Sequence, residues 1–345
     1  MSHLPSQKKP FLAAARDGDL NTVIRLLDEG VPVDVYSRNK STALIRAAGE
    51  GHEQIVNLLL NRGADIKICN EVGETALTRA AEKGRLSMVA ILLAAGATVD
   101  GCSRHSSVGW ETPLQQALLN DHPAVANLLR QHGADPNLVM GTIVWKQRLD
   151  LVDILLKMGA DVNEVTSSGR TPPLMRAAFG GDSDMVLALI ARGADPNLCS
   201  QSRTALGQAL RFGNASVVEA LIHNGAQCQF VNEAVGIEDF EGVKRLLEEG
   251  ADPNDDRPFK DTLHGSERPL FHAVDKQNAG IVMLLLDNGA DPNFVTPYRT
   301  ASPRPKSLLA FAHEKADTQI VAALLKAGAV SYLPGLPPPL SGGIG

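Results

Sequence analysis

The residues best suited to proton transfer near neutral pH are the nine histidines, and several stand near carboxylates. His264 lies between Asp261 and Glu267, shortly before His272, and His313 opens the stretch HEKAD. Histidines and carboxylates converging in a cleft would do acid–base chemistry. HEKAD begins like a zinc-peptidase helix but lacks the second His, so it does not hold metal in that way. No nucleophile elbow, P-loop or dinucleotide-binding glycine motif occurs. Cys69, Cys102, Cys199 and Cys228 are widely spread and form no Cys-x-x-Cys pair, which removes the usual zinc spacing. Cys69 and Cys102 hold equivalent places one period apart. At about 10 Å between neighbouring units they would stand too far apart to bond, so free thiols in a reducing compartment are expected. The expectation is a protein without a catalytic site, metal or cofactor.

Composition narrows the alternatives. The protein has 345 residues and a formal charge of −6, and its longest basic cluster is Lys8–Lys9. Nucleic acid or a membrane surface would want a basic stripe. The start, MSHLPSQKKP, lacks the apolar core of a signal peptide, and no window approaches a membrane-spanning run. An intracellular protein, cytoplasmic or nuclear, without membrane insertion is expected. Apolar residues make up 44% of the sequence but aromatic ones only 4%, which suits helices packed through small side chains.

The elements that position these residues repeat. Glycines follow leucine-rich segments at Gly30, Gly63, Gly96, Gly133, Gly159, Gly193, Gly225, Gly250, Gly289 and Gly328. Most sit in GAD, and often in GADPN. Such a Gly suits the left-handed residue that ends a helix, and the Asp-Pro-Asn after it turns the backbone. Upstream lie openings such as STALIRAAGEGH, ETALTRAAEKG, ETPLQQALLNDH and RTPPLMRAAFGGD. There a Thr caps the first turn and Pro fits the first helical position. Paired small residues, Ala47–Ala48 and Ala80–Ala81, permit close helix approach.

With a period near 33, these openings and these turns, the sequence resembles the ankyrin-repeat family over about residues 10–330. The resemblance implies an all-α dominated repeat solenoid of helix-turn-helix units with β-hairpin fingers, whose inner helices line a concave face. About ten units are expected in one domain, residues 10–332, after a lead-in at 1–9 and before a Pro/Gly-rich flexible tail at 333–345. The His that the family carries after Thr-Pro-Leu is replaced by Ile45, Thr78, Gln115, Met175, Gly207 and Phe271, which predicts a weaker local hydrogen-bond network. LLKMGADVN resembles the Leu-rich Asp-Val-Asn context in which ankyrin asparagines are hydroxylated, and so implies Asn163 as an acceptor.

Departures from the repeat point to function. The units ending at Gly159 and Gly250 are short and lack the Thr-Pro-Leu opening, so their inner helices must start almost directly from the preceding turn. Three fingers are long, at 100–111, 254–267 and 293–306, and offer His105, Trp110, Tyr298 and Arg299 as contact residues. Aligned on the glycines, the ends of the inner helices are charged early and late in the sequence. Between them run Leu119, Trp145, Phe179, Phe212 and Ile237, with Arg211 adjacent. An apolar, aromatic row with an Arg has the composition of a binding hot spot. The expected function is a scaffold that binds another protein or peptide segment through a concave groove and its fingers. Alternatives are a small-molecule or atypical enzymatic site in that groove, and a structural spacer.

Overall fold

The computed structural model describes residues 4–102, 112–165, 171–201, 203–255, 268–293 and 307–330. Among these residues there are twenty helices, and the only strand-like pairings are two isolated bridges, Tyr36–Thr42 and Ser200–Arg203. The protein divides into two compact units, Met1–Asp161 and Val162–Gly345.

In the first unit, inner helices α1 (Leu4–Asp17), α3 (Ala43–Glu50), α5 (Ala76–Glu82), α7 (Pro113–Leu119) and α9 (Asn137–Trp145) alternate with outer helices. The outer ones are α2 (Leu20–Asp28), α4 (Glu53–Asn61), α6 (Leu86–Ala94), α8 (Pro123–Gln131) and α10 (Leu149–Lys157). The second unit repeats the scheme. Its inner helices are α11 (Pro173–Gly180), α13 (Ala205–Arg211), α15 (Val231–Gly236), α17 (Pro269–Asp275) and α19 (Leu308–Glu314). Its outer helices are α12 (Ser183–Ala191), α14 (Ala215–His223), α16 (Phe240–Glu248), α18 (Ala279–Asp287) and α20 (Thr318–Lys326).

Each inner helix packs on its own outer helix and, through most of the array, on the next inner helix. In α3 the residues Ala43, Leu44, Ile45, Ala47 and Ala48 are all buried. The alanine pairs at 47–48 and 80–81 are fully enclosed, which lets neighbouring backbones approach. Outer helices supply the larger side chains, such as Ile55, Val56 and Leu59 on one face of α4. Each such burial is worth about 1.5–3 kcal/mol.

Starts and stops follow local chemistry. The hydroxyls of Thr42, Thr75, Thr112 and Thr204 accept from the N–H three residues on, at 3.3, 3.2, 3.1 and 2.9 Å. These caps form whatever residue replaces the family's His, because the donor is backbone. In RTPPL the cap position is Pro172, which has no side-chain acceptor. The ten anchor glycines all have positive φ, from +82° at Gly63 to +91° at Gly133, where any other L residue pays about 1–2 kcal/mol. The short unit ending at Gly159 enters α9 from within the preceding GADPN turn, at Asn137.

The Asn that closes the turn motif joins successive units. Asn163 Oδ1 accepts from Asp195 N–H at 2.8 Å while its Nδ2 donates to the Gly193 carbonyl at 2.9 Å. Asn197, Asn254 and Asn293 do the same to the next turn and to Gly225, Gly289 and Gly328. The inter-helix turns add a second tie. His52 Nε2 donates to the Arg16 carbonyl at 2.8 Å and His122 Nε2 to the Glu82 carbonyl at 3.0 Å. Asn214 takes the equivalent place against the Ala178 carbonyl. Carbonyls left over at the ends of inner helices are thereby satisfied.

The cysteines correct the expectation of four free thiols. Cys69 and Cys102 form a disulfide across a Cα separation of 6.2 Å, inside the range a disulfide spans. A spacing of about 10 Å describes packed helix axes, whereas finger backbones come closer. Glu71 N–H, for example, donates to the Asn39 carbonyl at 3.0 Å. Cys199 is exposed, and Cys228 is a buried free thiol.

Candidate functional site

The inner-helix ends carry the aromatic row, and each part belongs to its own unit. In the first unit Trp145 closes α9 and is 54% exposed, whereas Leu119 at the end of α7 is half-buried. The α9 residues that pack inward are Val139, Met140, Ile143 and Val144. That leaves the Trp145 indole on the open side of its helix.

In the second unit Phe179 and Phe212 meet edge to face, with ring centroids 4.4 Å apart and planes at 70°. They are 42% and 45% exposed. Arg211 sets its guanidinium 5.2 Å from the Phe212 ring centroid, within cation–π range. Ile237, the residue closing α15, is half-buried. The structure thus gathers Phe179, Phe212 and Arg211 into one cluster. His105, Trp110, Tyr298 and Arg299 lie outside the described residues, as do Asp261, His264, Glu267 and the tail at 333–345. Asn163 is engaged in the same inter-unit tie as three other asparagines.

Also in the second unit, the short repeat ending at Gly250 holds a buried carboxylate. Glu233 is fully enclosed on α15. Its carboxylate accepts the N–H of Gln229 at 2.7 Å and of Phe230 at 3.3 Å, and the Thr204 hydroxyl. It caps a helix whose Thr-Pro-Leu opening is missing. Burial raises its pKa above the ordinary carboxylate range, against the hydrogen bonds that favour the charged form. Burial and then the neighbouring Glu233 push the Cys228 thiol up to about 12, so it is not a reactive thiolate. Among the described residues no group of His, Cys, Asp and Glu is arranged to hold a metal ion, and no helix is long and apolar enough to cross a membrane.

A polar concavity in the first unit was not singled out from the sequence. Arg16, Asn39, Ser41, Arg46, Glu74 and Arg79 are among the residues lining a cavity of about 260 Å³ between inner helices and finger turns. The available signal was a register comparison, because Arg46 and Arg79 occupy the same place one period apart.

Comparison with known proteins agrees with the repeat geometry. The profile for ankyrin repeats in triple copies matches residues 11–101, 63–140 and 142–233, and that for a single ankyrin repeat matches 267–297. Alpha-latrocrustotoxin-Lt1a of Latrodectus tredecimguttatus is 28% identical over 117 residues, 31% of this protein and 8% of its own length. The human ankyrin repeat and KH domain-containing protein 1 is 34% identical over 100 residues, 28% of this protein and 4% of its own. The match therefore spans only a small part of these relatives. The crystal structure of the human ASB11 ankyrin repeat domain is similar at 25% identity with a TM-score of 0.47, covering 64% of this protein and 99% of that one. Repeating helix pairs, left-handed glycine anchors and family matches over most of the length lead to one conclusion: the protein belongs to the ankyrin-repeat family.

Proposed function

We propose that this protein is a binding scaffold that holds a segment of another polypeptide against the ends of its inner helices. Ankyrin repeats generally serve as protein–protein interaction modules. The observation that carries the reading is the Phe179–Phe212 pair with Arg211 beside it, two aromatic rings left over 40% exposed where the ends of α11 and α13 meet. Aromatic and Arg side chains are the types that dominate interface energetics. Trp145 and Leu119 offer a comparable edge in the first unit. The packed helix pairs hold these side chains in place before binding, which reduces the ordering cost.

The test is affinity capture with the wild-type protein beside a Trp145→Ala, Phe179→Ala, Phe212→Ala triple variant. Loss of a captured partner in the variant, with the helical circular-dichroism signal unchanged, is the expected result. A variant that keeps its partner, or loses its folded signal, overturns the reading: in the first case the row is not the contact, and in the second it is core.

A further inference from the structure

The repeat supplies an internal control for the cavity around Arg46. In the third repeat Arg79 is neutralised from two sides, by Glu74 at 3.4 Å and by Glu82. One period earlier, Arg46 holds the same place on α3, but the residues matching those glutamates are Ser41 and Gly49. Arg46 makes no hydrogen bond or ion pair among the described residues, and its Nε is buried without an acceptor. Leaving a buried guanidinium donor unmet costs more than an ordinary hydrogen bond is worth. Burial, and then the nearby Arg16, weakens its hold on its proton. The concavity beside it is open, and Asn39 and Ser41 at its wall are hydrogen-bonding side chains.

We propose that this cavity binds a single carboxylate of a peptide, which takes beside Arg46 the place that Glu74 and Glu82 take beside Arg79. The guanidinium fork matches a carboxylate through two parallel N–H···O bonds. Glu50 and Glu74 on the same wall select against a phosphate group, whose charge near neutral pH is about −1.5 to −2. The carboxylate belongs either to an acidic side chain or to the C-terminus of the peptide. The site is separate from the aromatic cluster and stands or falls without it.

Three probes separate the sources: an acetylated, amidated Gly/Glu pentapeptide, an acetylated pentaglycine with a free C-terminus, and inorganic phosphate. Binding is followed through the backbone amide resonance of Ser41, a residue of the cavity wall that every variant keeps, in ¹⁵N-labelled protein. One of the two carboxylate probes is expected to shift that resonance saturably. Arg46→Gln and, independently, Gly49→Glu are expected to weaken its binding about 10- to 100-fold, the range set by a charge-assisted hydrogen bond. Gly49→Glu supplies the missing carboxylate from within. A Cβ there meets Arg79 Cβ at 3.5 Å, an ordinary contact, so that variant also serves if Arg46→Gln does not fold. The proposal is overturned if neither carboxylate probe moves the resonance, if a folded variant binds as tightly as wild type, or if phosphate binds more tightly than both peptides.

Discussion

An asparagine amide offers an acceptor at one end and donors at the other, and the turn motif of this protein uses both. Where Asp stands in that register, only the accepting half survives. Asp100 accepts from Asp135 N–H at 3.1 Å, and burial, its largest influence, raises its pKa above the ordinary carboxylate value. Asp100→Asn would add a donor toward Gly133 and remove a partly desolvated charge. It is expected to stabilise the protein by about 0.5–1.5 kcal/mol at pH 7, read from urea unfolding. The sign with pH follows from the raised folded-state value. The wild-type contribution from this carboxyl is fully present below the ordinary value of about 3.9 and is lost as pH rises through the raised one. The advantage of Asn should therefore vanish in strong acid and be complete by neutrality, and an advantage independent of pH would refute the account.

At the scale of elements, the joints between helix pairs depend on contacts that single residues cannot keep alone. Gly84 has φ +65°, and a Cβ there would stand 2.6 Å from ring atoms of His122. Gly84→Ala is expected to destabilise by about 2 kcal/mol or more, from backbone conformation and overpacking together. In the background of His122→Ala the same change should cost visibly less, since the ring is gone. A double-mutant cycle by chemical denaturation measures that coupling, and strict additivity would refute it. Glu233 is the other joint. Glu233→Ala leaves two backbone donors and the Thr204 hydroxyl without their acceptor, at a cost of about 2–4 kcal/mol. Thermal unfolding followed by circular dichroism checks this, and a loss below about 1 kcal/mol would show that the cap is dispensable.

At the scale of the molecule, each repeat touches little beyond its neighbours, so stability should spread as nearest-neighbour terms. Asn254 joins one turn to the next through Asp291 N–H at 2.8 Å and the Gly289 carbonyl at 3.1 Å. Asn254→Ala is expected to speed amide exchange in α17 and α18 by about tenfold, with α3 and α4 little changed. Hydrogen–deuterium exchange read by mass spectrometry resolves the two regions. A uniform rise along the sequence would mean that the protein opens as one cooperative body instead.

The sequence by itself determined the repeat, its period, its helix pairs and its turns. Those features rest on chemistry within a few residues: a Thr hydroxyl on a nearby N–H, a Gly at positive φ, apolar residues on one helical face. In the unit ending at Gly159, which lacks Thr-Pro-Leu, the inner helix starts at Asn137, inside the preceding turn. What only the tertiary structure decided is which side groups, a period apart, become neighbours. It bonded Cys69 to Cys102 because finger backbones approach more closely than helix axes. It turned Trp145 outward while Leu119 and Ile237 sank partway in, since exposure at a helix end depends on the packing of the adjoining pair. It put Phe179 against Phe212 and left Arg46 without the glutamates that serve Arg79. One period is a long stretch of sequence but only a short step in space, and no local pattern records that second distance.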